Sequence, residues 1–331
     1  EKDGIRCYVN DLEVIVSSDQ NLRGGRPGLV SFRGTEAAFR RFSCGDEVPR
    51  FQPDDAVWAQ VEKTTAGFEE IDPANATLVE LLAGAGSTAV AALELKADSL
   101  SRQSDQLRVL AAEVHHHRTV EQLSDEVAVD DEKIDMFRAA LQIASLDNPE
   151  LDCEASLADL RRLSASIKAR LPSDANDVDR LGMLDQILFS ELGFHGSRGD
   201  YYNRSNSYVN EVLDDREGIP ITLAVVYMEL AKRLGIEIHG IGFPGHFLVR
   251  FDATDGDSQW IDVFERGKRL TRENLAERLL EQTGESLNDS HLETSTTREI
   301  LSRMLNNLLT IAIQEKDQRT FPVCLEGFTK A

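Results

Sequence analysis

One stretch constrains the fold more than any other, Gly218 to Gly235, "GIPITLAVVYMELAKRLG". Pro220 suits the first turn of a helix, where its missing N–H would have no partner anyway. Gly235 suits the left-handed position that closes a helix. Between them the residues are apolar on nearly every side, which a surface helix cannot tolerate. Ile219 to Leu234 is therefore expected to be a buried central helix, and the rest of the chain must wrap it.

The segments C-terminal to Gly235 supply a partner for that helix. "IEIHGIGF", "HFLVRF" and "QWIDVF" read as short strands, separated by "PG" and "DATDGDS". A helix followed by hairpin-connected strands predicts an antiparallel sheet packed on it, an α+β layout. Upstream, helical periodicity begins near Asn75 and is interrupted at Gly84 and Gly86. A further helix, "DDEKIDMFRAALQIASL", is expected to open on Asp130 and Asp131, with Ile134, Phe137, Ala140 and Leu141 on one face. "CEASLADLRRLSASIKARL" and "VDRLGMLDQILFSEL" continue the helical run, the latter stopping at Gly193. After the strands, "RENLAERLLEQTG" and "REILSRMLNNLLTIAIQEKDQ" return to helix. The organisation read from this is residues 1–66 unassigned, 67–150 helical, 151–290 the α+β core and 291–331 a C-terminal helix. Within 1–66, "IRCYVNDLEVIVSS" alternates like a strand and "NLRGGRPGLVSFRG" is rich in turns.

The candidate site lies around the start of the central helix. His246 opens "HFLVRF" and Asp262 lies in the next strand, 16 residues on. A hairpin would set them side by side on adjacent antiparallel strands, provided the register keeps both on one face. In a thiol acyl-transfer site a cysteine sits at a helix N-terminus, a histidine shuttles its proton, and an Asp or Asn holds the other ring nitrogen. The helix here starts Gly218-Ile219-Pro220, with no sulfur. Thr222 carries a hydroxyl, but two residues along the helix turn it roughly 200° away. His246 reads equally as a groove residue or as a structural histidine on Asp262. The loop "GFHGSRGDYYNRSNSY" brings Tyr201 and Tyr202. Asn206 and Asn210 share a face of a helix starting near Ser205, where their amides either brace backbone or line a groove.

The combination "NSYVNEVL", "GIPITL" and "PGHFLVR", in that order, resembles the SirB-type branch of the transglutaminase-like superfamily. These are bacterial proteins that often carry a tetratricopeptide tail, and a similar domain occurs in an F-box ubiquitin-ligase subunit. The resemblance runs from about Asp131 to Gln314 and more loosely back to Gly86. It implies a papain-like α+β fold and no established reaction. The superfamily pattern at the helix start is Gly-x-Cys, where this chain has Pro220. Ser197 stands where the branch usually has Asn. The chain also stops at Ala331, where tetratricopeptide helices would begin, so residues 291–331 read as the start of a truncated repeat region.

Other chemistry is excluded by composition and geometry. Net charge is −22, and residues 1–50 are neutral, so the remainder carries it all. That repels phosphate backbones, and no basic patch argues for nucleic acid. No apolar run approaches the ~20 residues of a membrane span. Cys7, Cys44, Cys153 and Cys324 form no CxxC pair, which predicts free thiols in a reducing, cytoplasmic compartment. Cys153 has Asp152 and Glu154 beside it, a setting that disfavours thiolate. His115, His116 and His117 point about 100° apart on a helix and cannot share one ion, so they are expected at a solvated helix end. His195 and His239 lie in the same region as His246, but only folding could unite them; no metal or cofactor is assigned. A chain that begins at Glu1 rather than Met is consistent with a fragment. The reading that results is a catalytically defective domain that binds a protein or peptide through Tyr201, Tyr202, Asn206, Asn210, Gly218, Thr222 and His246. The alternatives are a hydrolase or acyltransferase using His246 and Asp262 with another nucleophile or an activated water, and a structural scaffold.

Overall fold

The computed structural model describes residues 5–9, 12–17, 55–65, 74–84, 87–253 and 258–315. Cys44, Cys324 and the turn-rich "NLRGGRPGLVSFRG" lie outside the described residues. The chain divides into two compact units, residues 1–109 and 110–331. In the first, the alternating segment forms two strands, β1 (Ile5–Val9) and β2 (Leu12–Ser17), paired antiparallel. Helix α1 (Asp55–Thr65) and helix α2 (Ala76–Ala83) follow, α2 capped by the Asn75 side chain on the Leu78 N–H. After the break expected at Gly84, α3 (Ser87–Val127) begins. Lys96 on α3 pairs with Glu62 on α1 at 2.6 Å, and Val61, Ala89 and Ala92 are buried.

The second unit is built round the central helix. α4 (Met136–Ser145), α5 (Cys153–Lys168), α6 (Asp177–Asp185), α7 (Val209–Asp215) and α10 (Thr297–Glu315) all contact α8 (Pro220–Leu234). α8 starts at Pro220 and ends on Gly235 at φ 79°, as its punctuation predicts, and only Lys232 and Arg233 escape full burial. α6 widens into a π-turn, Gln186–Glu191, before Gly193 at φ 78°. A four-stranded antiparallel sheet packs on α8 in the order β5 (Ile238–Ile241), β6 (Leu248–Phe251), β7 (Gln259–Asp262), β8 (Lys268–Leu270). A parallel two-residue ribbon, β3 (His195–Gly196) on β4 (Glu217–Gly218), sits just before α8. Beyond the sheet, α9 (Arg272–Thr283) closes a small core of Ile241, Phe243, Leu248, Leu275, Leu279 and Leu292. The α+β layout is thus helical with small sheets. No single helix among the described residues is long and apolar enough to cross a membrane.

Three local expectations are corrected. α4 begins after Asp135, whose side chain accepts from the Arg138 N–H, rather than on Asp130 or Asp131. Asp131 is used elsewhere: its carboxylate accepts from the N–H groups of Thr297 and Arg298 at 2.8 and 3.0 Å, capping α10 across the fold. The expected shared face of α4 does form, since Ile134, Phe137, Ala140 and Leu141 are all buried. Asp131→Ala is expected to lose about 1 kcal/mol of unfolding free energy. Asp130→Ala should lose far less, because among the described residues that exposed carboxylate pairs with exposed Lys133 alone. Urea titration of both variants checks this.

The helix expected from Ser205 is also divided. A 3₁₀ turn spans Arg204–Ser207, Tyr208 is extended, and α7 starts at Val209. Asn206 and Asn210 therefore do not share one helical face. Lastly, His115–His117 are ten residues short of the end of α3. His115 Nε2 reaches the Ser145 carbonyl at 2.7 Å, His116 Nε2 is buried with no hydrogen-bond partner among the described residues, and His117 stays exposed, beside Glu121. Tertiary packing covers two rings that composition alone assigns to water.

Candidate functional site

His246 sits in the turn ahead of β6 rather than in the strand, because the chain bends at Pro244 and Gly245. Gly245 has φ 66°, a left-handed conformation that suits glycine. The turn is closed by the His246 N–H on the Phe243 carbonyl at 3.0 Å. Arg303 of α10 holds it from behind, donating to the carbonyls of Phe243 (3.1 Å) and His246 (2.7 Å). The Arg303 guanidinium also lies 5.7 Å over the Phe247 ring, and burial draws its pKa below the ordinary value.

β6 and β7 pair antiparallel with Val249 opposite Ile261, a register that brings Asp262, at the end of β7, to His246. His246 Nε2 lies 2.9 Å from Asp262 Oδ1, with both side chains buried. The same oxygen accepts the Glu265 N–H at 3.2 Å, and Oδ2 accepts Arg278 Nη1 of α9 at 2.8 Å. Burial pushes the Asp262 carboxyl up. The hydrogen bonds and charges of His246 and Arg278 outweigh that and hold it below the ordinary carboxylate value. With Nε2–H assigned to the carboxylate, Nδ1 is the ring nitrogen left over. Nδ1 has no hydrogen-bond partner among the described residues. Chemically, the arrangement is an oriented imidazole able to accept one proton.

The start of α8 offers no partner nucleophile. Pro220 occupies the first turn, buried. Thr222 is fully buried, and its hydroxyl donates to the carbonyls of Asn206 (2.7 Å) and Ile219 (3.1 Å). Gly218 is closely packed, since a Cβ there would come within 2.7 Å of Val212 Cγ2. Asn206 braces backbone: its amide donates to the Asp200 carbonyl at 2.7 Å, and its own carbonyl receives Ile219 N–H as well as Thr222. Asn210 donates to Glu211 at 2.8 Å, while its Oδ1 is buried with no hydrogen-bond partner among the described residues. Thr222, Asn206, Asn210 and Gly218 thus lie beneath the surface. Cys153 bonds Ser145 Oγ at 3.4 Å, on α5.

What remains exposed is aromatic. Tyr202 (58% exposed) and Tyr201 (40%) meet edge to face, Tyr201 meets Phe264 at 6.4 Å, and Phe264 meets the His246 ring at 5.9 Å. Burial raises the Tyr201 phenol above its ordinary pKa. Phe264 lies flat on Gly196, where a Cβ would stand 2.3 Å from its ring, so glycine is required there. Ser197, in place of the family Asn, is buried and its N–H bonds the Gly218 carbonyl at 3.0 Å. Phe264 also walls a cleft of about 490 Å³ bounded by β3, β4 and the turn after β7. The residues lining it do not include Tyr201, Tyr202, Asn206 or His246, so this cleft is distinct from the groove expected there.

Sequence reasoning did not find Phe264, Arg278 or Arg303. Phe264 was findable, since it follows Asp262 by two and a strand period would place both on one face. The two arginines carry no such signal, because each reads as one more solvated helix charge.

Among the described residues no cluster of His, Cys, Asp and Glu could hold a metal ion. Residues 154–306 match the transglutaminase-like superfamily, over a span that includes α8, His246 and Asp262. The chain therefore carries a transglutaminase-like superfamily domain. Its homologues include the bacterial UPF0162 proteins. One from Xylella fastidiosa is 38% identical over 192 residues, 55% of this chain and 66% of that protein. Another, from Pseudomonas aeruginosa, is 34% identical over 176 residues, 52% of this chain and 63% of its own length. Human F-box only protein 21 is 34% identical over 142 residues, 41% of this chain and 22% of that protein. The chain thus spans just under two thirds of these bacterial relatives. No solved structure gave a match.

Proposed function

We propose that this is a catalytically defective transglutaminase-like domain, of SirB type with a papain-like core, that binds a protein or peptide partner in the cytoplasm. One observation carries the reading. His246 on Asp262, with Asp262 on Arg278, is a braced pair of the kind that handles protons in acyl-transfer sites, while α8 starts at Pro220, where such sites carry a cysteine. A histidine without a thiol or free hydroxyl beside it can orient a ligand or a water, but it cannot activate a nucleophile the chain does not supply. Tyr201 and Tyr202 supply the exposed aromatic surface on which partner recognition commonly rests.

The second reading is hydrolysis by a water held on His246, and the unpartnered Nδ1 favours it. Turnover on a panel of peptide amides separates the two. The wild type is expected to show no amidase or transamidase activity. Turnover abolished by iodoacetamide would sink the pseudoenzyme reading. Turnover that survives iodoacetamide but vanishes in His246→Ala would favour the alternative of a hydrolase or acyltransferase acting through His246 with a non-cysteine nucleophile or a water.

A further inference from the structure

The 490 Å³ cleft beyond Phe264 is in the size range of small-ligand sites, roughly 300–1,000 Å³. Its charges are unusual for a chain of net −22, since two arginines and two glutamates face it. Arg198 and Glu265 pair with each other. Glu217 and Arg266 line the same cleft, yet neither side chain has a hydrogen bond or ion pair with any described residue. His195, which also lines the cleft, is fixed by Nδ1 on the Gly193 carbonyl at 3.0 Å.

The backbone points to the same place. Among the described residues, two non-glycine residues have positive φ: Arg216 (61°), the left-handed cap that ends α7, and Arg266 of the cleft itself (56°), whose conformation no helix end explains. Left-handed backbone at non-glycine residues is costly and concentrates at ligand sites. One half-buried carboxylate and one exposed guanidinium, neither paired with a described residue, line a cleft with an aromatic ring and complement a ligand that carries both signs of charge.

We propose that this cleft binds a zwitterion, a free amino acid or a short peptide with both ends free. Glu217 takes its ammonium, Arg266 its carboxylate and Phe264 its apolar part. This assignment does not depend on the reading of Pro220, because no residue of the His246–Asp262 pair lines the cleft.

Isothermal titration of the full chain with phenylalanine and with the dipeptide Ala-Phe tests it. At least one is expected to bind saturably, and the tighter of the two identifies the source. N-acetylation of the ligand and Glu217→Gln should each weaken binding tenfold or more, and together little more than either alone. Amidation of the carboxyl group and Arg266→Gln should behave in the same way. The blocked ligands probe the contacts without altering the protein, so a variant that misfolds does not decide the result. No saturable binding of either compound, or affinity indifferent to blocking both ends, would overturn the proposal. Absence of zwitterion binding leaves the turnover assays on His246 unaffected, so the two readings fail separately.

Discussion

Asp262→Ala is expected to destabilise the domain by about 3 kcal/mol, the low end of the 3–5 kcal/mol typical when one partner of a buried ion pair is removed. Asp262 is fully buried and accepts from His246, the Glu265 N–H and Arg278. Without it, a buried imidazole and a guanidinium lose their shared acceptor. The low end applies because Arg278 is 30% exposed and can turn to water. Asp262→Asn keeps one acceptor oxygen and should cost about half as much. Denaturant unfolding at pH 7 measures both.

The same carboxyl fixes a pH dependence. Its folded pKa is depressed, so its contribution is complete above the unfolded value of about 3.9. That contribution is lost as pH falls through the lower folded value. Wild type and Asp262→Asn should therefore differ by a constant amount well above about pH 4 and converge as pH falls below it into strong acid. Curves that stay parallel throughout would mean that Asp262 is no more strongly held in the folded state than in the unfolded one.

The second large effect concerns the missing sulfur. Pro220→Cys is expected to place a thiol at the N-terminus of α8, where unsatisfied N–H groups favour thiolate. If His246 addresses that position, the two should form a pair like that of thiol acyl-transfer sites. The new thiol would then titrate within about 3.5–7.5, against about 8.5 for an ordinary one. At neutral pH this is roughly a tenfold gain in thiolate or more. The measurement is the difference in thiolate ultraviolet absorbance between Pro220→Cys and wild type across pH, which subtracts the four native cysteines. Adding His246→Ala should move the titration back up. A thiol titrating at or above the ordinary value, unmoved by His246→Ala, would remove the alignment of Pro220 with a nucleophile position.

Much of the frame was legible because it rests on local rules. A proline at one end, a glycine at the other and an apolar wrap define α8 without any knowledge of its neighbours. Strand patterning and hairpin order placed His246 beside Asp262, and reading Gly218-Ile219-Pro220 was enough to see that sulfur is absent there. What the sequence could not decide depends on side chains meeting across long separations. Asp131 looks like a cap for the helix it precedes, yet it caps α10, 166 residues away. Arg278 and Arg303 look like solvated charges on amphipathic helices, yet one completes Asp262 and the other pins the His246 turn. Thr222, Asn206 and Asn210 look available for a groove, but the packing of the tyrosine loop on α8 buries all three. Glu217 and Arg266 stand 49 residues apart in sequence and line one cleft only because the ribbon and the β7–β8 turn converge there. Periodicity and capping act within a few residues, so sequence alone determines elements and their buried faces. Which polar atoms find each other depends on how those elements pack, and that was decided by the tertiary structure.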